Sequence, residues 1–343
     1  MSSPVNLAER TTLRVGGPAE SWLVASSIEE TVEAVRECDD SSTPVLLLGG
    51  GSNIVVADAG FAGAVIDVAN RGVSIDPVAA EGVVDVTVAA GEPWDDIVAM
   101  SVREGWSGIE ALSGIPGRCG ATPIQNVGAY GQELAQVVAE VDVLDRRSGE
   151  LGRLAAADCG FGYRTSAFKK DPDRWVVLAV TLRLRASASG AVRYSELARS
   201  LGVETDGHAD IRDIRSAVLD LRTAKGMVLD DADHDTWSAG SFFTNPIVDD
   251  AALAPDGCPR YPSVAGIKLS AAWLIEHSGI SRGFSLGNPS NAAISTKHTL
   301  ALTNRGGATA ADIMALARVV QGRVHGEFGI DLAIEPTLVG NPG

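Results

Sequence analysis

Five runs in this chain carry residue types that can do chemistry at close quarters. Gly49-Gly50-Gly51-Ser52-Asn53 follows an apolar run, as a phosphate-cradling loop would. It is neither G-x-G-x-x-G nor a lysine-bearing Walker loop, and a strand-like run rather than a helix follows it, which excludes those two mechanisms. Three glycines leave backbone N–H groups bare enough for an anion nest, and Ser52 and Asn53 add donors; a tight β-turn reads the same way. The run from Ser113 to Gly131 sets Gly114, Pro116, Gly117, Gly120, Pro123 and Gly128 among the polar Thr122, Gln125, Asn126 and Tyr130. Irregular stretches beyond ~12–15 residues are uncommon in compact domains and usually functional; a surface Ω-loop is the plainer alternative. Tyr163-Arg164 places a phenol beside a guanidinium that can grip a carboxylate bidentately. Ser241 follows a glycine and precedes Phe242 and Phe243, outside any G-x-S-x-G pattern, so it reads as a positioned proton donor or a turn serine rather than a triad nucleophile. Near the C-terminus, Ile334-Glu335-Pro336 reads as a strand ending on a carboxylate.

Two other signals fail. Asp231, Asp233 and Asp235 open with EF-hand spacing, but Thr236 replaces the turn glycine and Phe242 the bidentate glutamate, so the stretch reads as a solvated acidic loop. The five histidines lack metal-site spacing, so no metal is expected. Cys38, Cys119, Cys159 and Cys258 form no C-x-x-C and read as isolated reduced thiols.

The elements that must position these residues are legible in outline. Ser27 and Glu30 form a capping pattern before a helix with Ile28, Val32 and Val35 on one face. Apolar runs at 45–48, 54–56 and 64–68 predict three strands of one small α/β unit, with the triple-glycine turn between the first two. Val84, Val86 and Val88 alternate with polar residues as in a half-buried strand. Pro93 opens a helix bearing Trp94, Ile97 and Val98, and Gly105 ends it. Strands follow at 141–144 and 176–184, then helices at 268–278 and at 310–325, the latter capped by Thr309 with Ile313, Leu316, Ala317 and Val320 inward. A polar loop at 283–291 and a strand at 299–303 lie between those helices.

The chain of 343 residues has the length of two or three domains. Its 28 basic and 44 acidic residues give −16, which argues against nucleic acid and anionic membrane as partners. No secretory signal or membrane span is legible, so a cytoplasmic protein is expected.

Residues 11–17, 48–55, 114–131, 161–169, 239–246 and 334–336 together, in this order, resemble the UDP-N-acetylenolpyruvoylglucosamine reductase family, over nearly the whole chain. The segment Val192–Leu197 is similar to the longer subclass, in which a tyrosine on a mobile loop covers the bound diphosphate. The resemblance implies an α+β fold of three domains. Two of these form a vanillyl-alcohol-oxidase/PCMH-type FAD-binding fold, at 1–70 plus about 332–343 and at 71–222. The third, at 223–331, is an α/β substrate-binding domain. It implies non-covalent FAD, NADPH as co-substrate, a UDP-sugar substrate and a monomer. Flavin N5 then delivers hydride to the enolpyruvyl C3 of UDP-N-acetylglucosamine enolpyruvate. By the same resemblance Arg164 and Glu335 flank the substrate carboxylate and Ser241 gives the proton to C2. Substrate contacts fall to Tyr163, Tyr194, Lys225, Asn245 and Lys297. The flavin falls to Gly49, Gly50, Gly51, Ser52 and Asn53, and to Ile115, Pro116, Gly117, Gly120, Ala121, Thr122, Gln125, Asn126, Gly128, Ala129 and Tyr130. Two features depart from the family pattern: the acidic stretch 230–235 and Arg118-Cys119 within the long loop. Rival readings are a sugar or lactone oxidase of the same fold, disfavoured because no histidine precedes His208 to tether flavin, and a non-enzymatic nucleotide-binding module.

Overall fold

The computed structural model describes residues 5–76, 82–287 and 290–343 and divides into two compact units. Unit 1 comprises the residues up to Ala19, Gly51–Phe61 and Lys225–Gly343; unit 2 comprises Glu20–Gly50 and Ala62–Ala224.

In unit 2, Ser27 caps the helix Ile28–Asp40, its hydroxyl accepting from Glu30 N at 3.1 Å. The Glu30 carboxylate accepts from Ser26 N at 2.7 Å, one residue before the expected partner. Val32 and Val35 turn this helix onto Ile66, Leu144, Val176 and Leu178. Val45–Leu48 pairs in parallel with Phe61–Val68, the central strand of a three-stranded sheet whose other edge is Ala19–Ala25. Ile54–Val56 does not join that sheet, as the sequence reading had it. It belongs to unit 1, parallel to Thr337–Val339. A three-residue run buried throughout has no period that could declare its sheet.

The larger sheet of unit 2 is antiparallel, in the order Glu150–Ala155, Val138–Asp145, Trp175–Ala186, Val83–Ala89, Val73–Asp76. Val141, Val180 and Val88 stand in register across its centre. The helix Trp94–Glu104 ends on Gly105, at φ 76, and its Trp94, Ile97 and Val98 share one buried cluster with Val84, Val86 and Val88. Trp94 donates Nε1 to Leu112 O at 3.1 Å. Truncating a buried Trp of this kind costs about 3–5 kcal/mol. The hairpin of Ser189–Val192 with Gly207–Asp210 and the helices Ser195–Leu201 and Ile211–Ala224 complete the unit.

Unit 1 is organised on the helix Ala310–Phe328. Thr309 and Asp312 form a capping box, and Ile313, Leu316, Ala317 and Val320 meet Leu13, Val55, Phe242, Phe243 and Ile294 in one core. The helix outruns its expected end by three residues because Gly329, at φ 66, is what stops it. The helix expected from 268 begins at Ala271, since Leu269 closes the strand Gly266–Leu269 and Ser270 is the cap. The strand expected at 299–303 is Leu302–Asn304, paired antiparallel with Ala292–Ile294. Two residues of the polar loop 283–291, Asn288 and Pro289, lie outside the described residues. All four cysteines are free, three of them buried. No described helix is long and apolar enough to cross a membrane, and no cluster of His, Cys, Asp and Glu among the described residues could hold a metal ion.

Candidate active site

In unit 2 the two glycine-rich runs meet. A Cβ on Gly50 would stand 2.6 Å from Gly117 Cα, so the loops touch backbone to backbone. Gly49 is less crowded: its Cβ would find Arg118 Cβ at 3.6 Å and Ala121 Cβ at 3.8 Å. At Gly50 and Gly117 main chain rather than side chain therefore lines the junction, as a diphosphate nest requires, and in this respect the residues fit FAD. Gly51, Ser52 and Asn53 continue into unit 1, where Gly51 O accepts from Thr12 N at 3.0 Å.

The run 113–131 is not a surface loop: Ser113, Thr122 and Asn126 are buried. Its start is clamped by Asp95, which accepts from Gly114 N at 2.6 Å and takes Arg215 bidentately at 2.7 and 2.8 Å. Burial pushes the Asp95 carboxyl up, but Arg215 and the Gly114 amide outweigh it and hold it below the usual range. Asn126 is the pivot, at φ 48. Its Nδ2 donates to Glu133 and to Gly162 O, both at 3.0 Å, and its Oδ1 accepts from Ala135 N at 2.9 Å. The Gly162 bond ties the loop to the segment carrying Tyr163 and Arg164. Arg164, also left-handed at φ 51, donates Nη2 to Gly128 O at 2.7 Å and Nη1 to Asn126 O at 3.4 Å. Such a backbone costs about 1–3 kcal/mol and persists where surrounding bonds over-determine it. Both acceptors are backbone carbonyls, so these two bonds orient the guanidinium. The Tyr163 ring centroid lies 5.7 Å from its central carbon.

Tyr130 meets Tyr194 edge-on, with centroids 5.5 Å apart at 87°. Burial pushes the Tyr130 phenol up to about 12. The expected departure at Arg118-Cys119 has a structural role. Arg118 donates to Asp67 and to Val68 O, and Cys119 is fully buried, its thiol raised by burial to about 12.

Sequence reasoning missed Glu110 and Gln132. Both are buried; Gln132 Nε2 donates to Glu110 Oε1 at 2.8 Å and its Oε1 accepts from Ala111 N at 2.8 Å, while Gly108 N donates to Glu110 Oε2 at 2.6 Å. Together they staple the end of the long loop, two residues past Tyr130. Neither sits in a run whose spacing signals a pair.

In unit 1, residues 242–244 run antiparallel to 333–335: Glu335 N donates to Phe242 O at 2.9 Å and Thr244 N to Ala333 O at 3.0 Å. This brings the chain at Ser241 and Glu335 together across most of unit 1's sequence. Phe242 and Phe243 are buried, whereas Ser241 itself is half-buried. Glu335 is only 9% exposed and precedes its strand, Thr337–Val339, rather than ending one. Asn245 Oδ1 accepts from Ala271 N at 2.9 Å and so helps cap the helix Ala271–His277. The acidic stretch is solvated at Asp230 and Asp231, as expected, but not at Asp235, and its carboxylates are engaged. Asp231 binds Arg14, Asp233 binds the Lys297 ammonium, and the buried Asp235 accepts from Thr296 and from Arg305. Of the expected catalytic residues, Arg164 belongs to unit 2, and Ser241 and Glu335 to unit 1.

An FAD-binding domain model matches residues 20–155, and a model described as the C-terminal domain of UDP-N-acetylenolpyruvoylglucosamine reductase matches 231–339. A nucleotide-cradling domain joined to that C-terminal domain defines a flavin-dependent oxidoreductase. A relative of that name from Saccharopolyspora erythraea is 52% identical over 97% of this chain and 94% of its own length. One from Thermobifida fusca is 54% identical over 98% and 97%. The crystal structure of the Thermus caldophilus reductase superposes with a TM-score of 0.65 at 26% identity, covering 98% of both chains. The chain belongs to the UDP-N-acetylenolpyruvoylglucosamine reductase family.

Proposed function

We propose that this protein reduces UDP-N-acetylglucosamine enolpyruvate to UDP-N-acetylmuramate with NADPH and bound FAD, a cytoplasmic step of peptidoglycan precursor synthesis. The observation that carries the reading is the pairing of 242–244 with 333–335, which brings the chain at Ser241 beside that of the sheltered Glu335 carboxyl in a chain of this family. When bound, FAD supplies the two-electron relay between nicotinamide and the enolpyruvyl double bond.

The residues do the rest. As electrons enter at C3, negative charge develops on the substrate carboxylate. Arg164, oriented by the Asn126 and Gly128 carbonyls, stabilises that charge. Glu335, nearly buried, flanks the same carboxylate and would help only as the protonated acid, since two like charges side by side repel. Ser241 gives its proton to C2. Tyr163, Asn245 and Lys225 hold the sugar nucleotide, and Tyr194 covers its diphosphate from the rim it shares with Tyr130. Gly49–Asn53 and the stretch from Ile115 to Tyr130 cradle the flavin. The same reading keeps 71–222 and 223–331 as second and third domains and the protein as a monomer.

The test is anaerobic. NADPH bleaches the yellow protein, and UDP-N-acetylglucosamine enolpyruvate restores the colour. Reduced protein that ignores this sugar nucleotide yet reoxidises rapidly in air would instead be an oxidase.

A further inference from the structure

The acidic stretch that departs from the family pattern lies between Lys225 and Ser241, and the mechanism above leaves it without a task. Its carboxylates are engaged one by one. Asp235 Oδ1 accepts from Thr296 N and from Arg305 Nη1, both at 2.8 Å, and its Oδ2 accepts from the Thr296 hydroxyl. Asp233 holds the Lys297 ammonium. These bonds fix two walls. Gly226, at φ +65, stands between them: a Cβ there would lie 3.0 Å from Asp235 O and 3.4 Å from Lys297 Cδ. The residue immediately before Gly226 is Lys225.

We infer that Asp235 is a positioning residue: with the Asp233–Lys297 pair it locks the Gly226 turn and thereby sets where Lys225 meets the substrate diphosphate. Lys297, on this account, serves the clamp rather than the ligand. The geometry supports the direction of control. Both walls are anchored outside the turn, through Thr296 and Arg305 on one side and Asp233 on the other. Gly226 itself, at the middle of the turn, has no side chain, and a Cβ there would press on both walls.

The inference rests on the assignment of Lys225 to the sugar nucleotide, and a double-mutant cycle on the holoenzyme separates the two. Lys225→Ala should raise KM for UDP-N-acetylglucosamine enolpyruvate. Asp235→Asn, which keeps the shape and loses the charge, should raise the same KM about tenfold with kcat changed far less, the size expected for residues coupled in one network. Flavin content should match wild type. In the Lys225→Ala background the Asp235→Asn effect on KM should vanish. Lys297→Ala, which removes the other wall, should behave alike and guards against a poorly folding Asp235 variant. An Asp235→Asn effect that persists undiminished without Lys225, or no effect on KM at all, overturns the inference while leaving the assigned reaction intact. If Lys225→Ala leaves KM unchanged, the assignment of Lys225 falls, and this inference with it.

Discussion

The glycine-rich junction of unit 2 and the acidic stretch of unit 1 look alike as sequence: both are irregular, poor in apolar periodicity and close to residues that carry chemistry. They are held by opposite means. Gly50 and Gly117 meet main chain to main chain, with no room for one further carbon. Residues 230–235 are held by charges reaching Arg14, Lys297 and Arg305. A backbone contact fails by steric clash, abruptly. An ion-pair network fails by degrees, because each partner can be weakened separately and solvent or a neighbour compensates in part.

The largest effect should come from the charge that the junction's neighbour aims. Arg164→Ala should slow reoxidation of reduced flavin by the sugar nucleotide by about 10²–10³, the usual loss on removing one charge-stabilising donor. Reduction by NADPH should be nearly unaffected, and single-turnover absorbance of each half-reaction separates the two. Ser241→Ala should show the same asymmetry; equal loss in both half-reactions would disprove its assignment as proton donor.

Next in size is the steric claim. Gly50→Ala should destabilise the protein by about 1–3 kcal/mol, the cost of overpacking against backbone, and deplete bound flavin. Gly49→Ala, whose new methyl meets only ordinary contacts at 3.6 Å and beyond, should keep the thermal midpoint while lowering flavin occupancy. Melting curves and the flavin-to-protein ratio read both; equal stability of the two variants would erase the contrast between the regions.

Glu110→Ala tests whether unit 2 also contains a polar network. It strands the Gln132 amide and Gly108 N–H in a buried site, at about 1–3 kcal/mol for each unsatisfied group. Urea unfolding measures it, and a loss below that range would mean water replaces the carboxylate.

The smallest effect is in acid. Burial raises the Asp235 carboxyl, but the Thr296 and Ser295 hydrogen bonds and the Arg305 charge outweigh it and leave it below its ordinary value. A depressed carboxyl stabilises the fold above its unfolded pKa and loses that contribution as pH falls through the folded one. The stability gap between wild type and Asp235→Asn should therefore be full at neutral pH and close on the acid side. A gap that widens in acid contradicts the sign.

How much of this was legible beforehand follows the same divide. Arg164, Ser241 and the glycines stand out in the sequence by residue type, but each has a plainer reading alone, and the roles proposed for them come from the ordered resemblance. Helices with strong caps, from Ser27 and from Thr309, were legible because a cap is local. Glu110 with Gln132 and Asp235 with Arg305 were not, since each partner is distant in sequence and neither half signals burial alone. Ile54–Val56 was read as a strand but assigned to the wrong sheet, because what it pairs with comes more than two hundred residues later.

That pairing bears on how the protein is made. Every residue of unit 2 lies between Glu20 and Ala224, so it can close while the ribosome is still translating. Unit 1 cannot: Ile54–Val56 waits for Thr337–Val339, and the segment at Ser241 waits for Glu335. Ile54–Val56 must therefore stay unpaired until Thr337–Val339 is delivered, an interval in which this apolar strand is exposed to chaperones and to neighbouring nascent chains. Limited proteolysis of ribosome-stalled chains should find unit 2 protected while Val15 and Val55 are still cut, and simultaneous protection of both would refute this order.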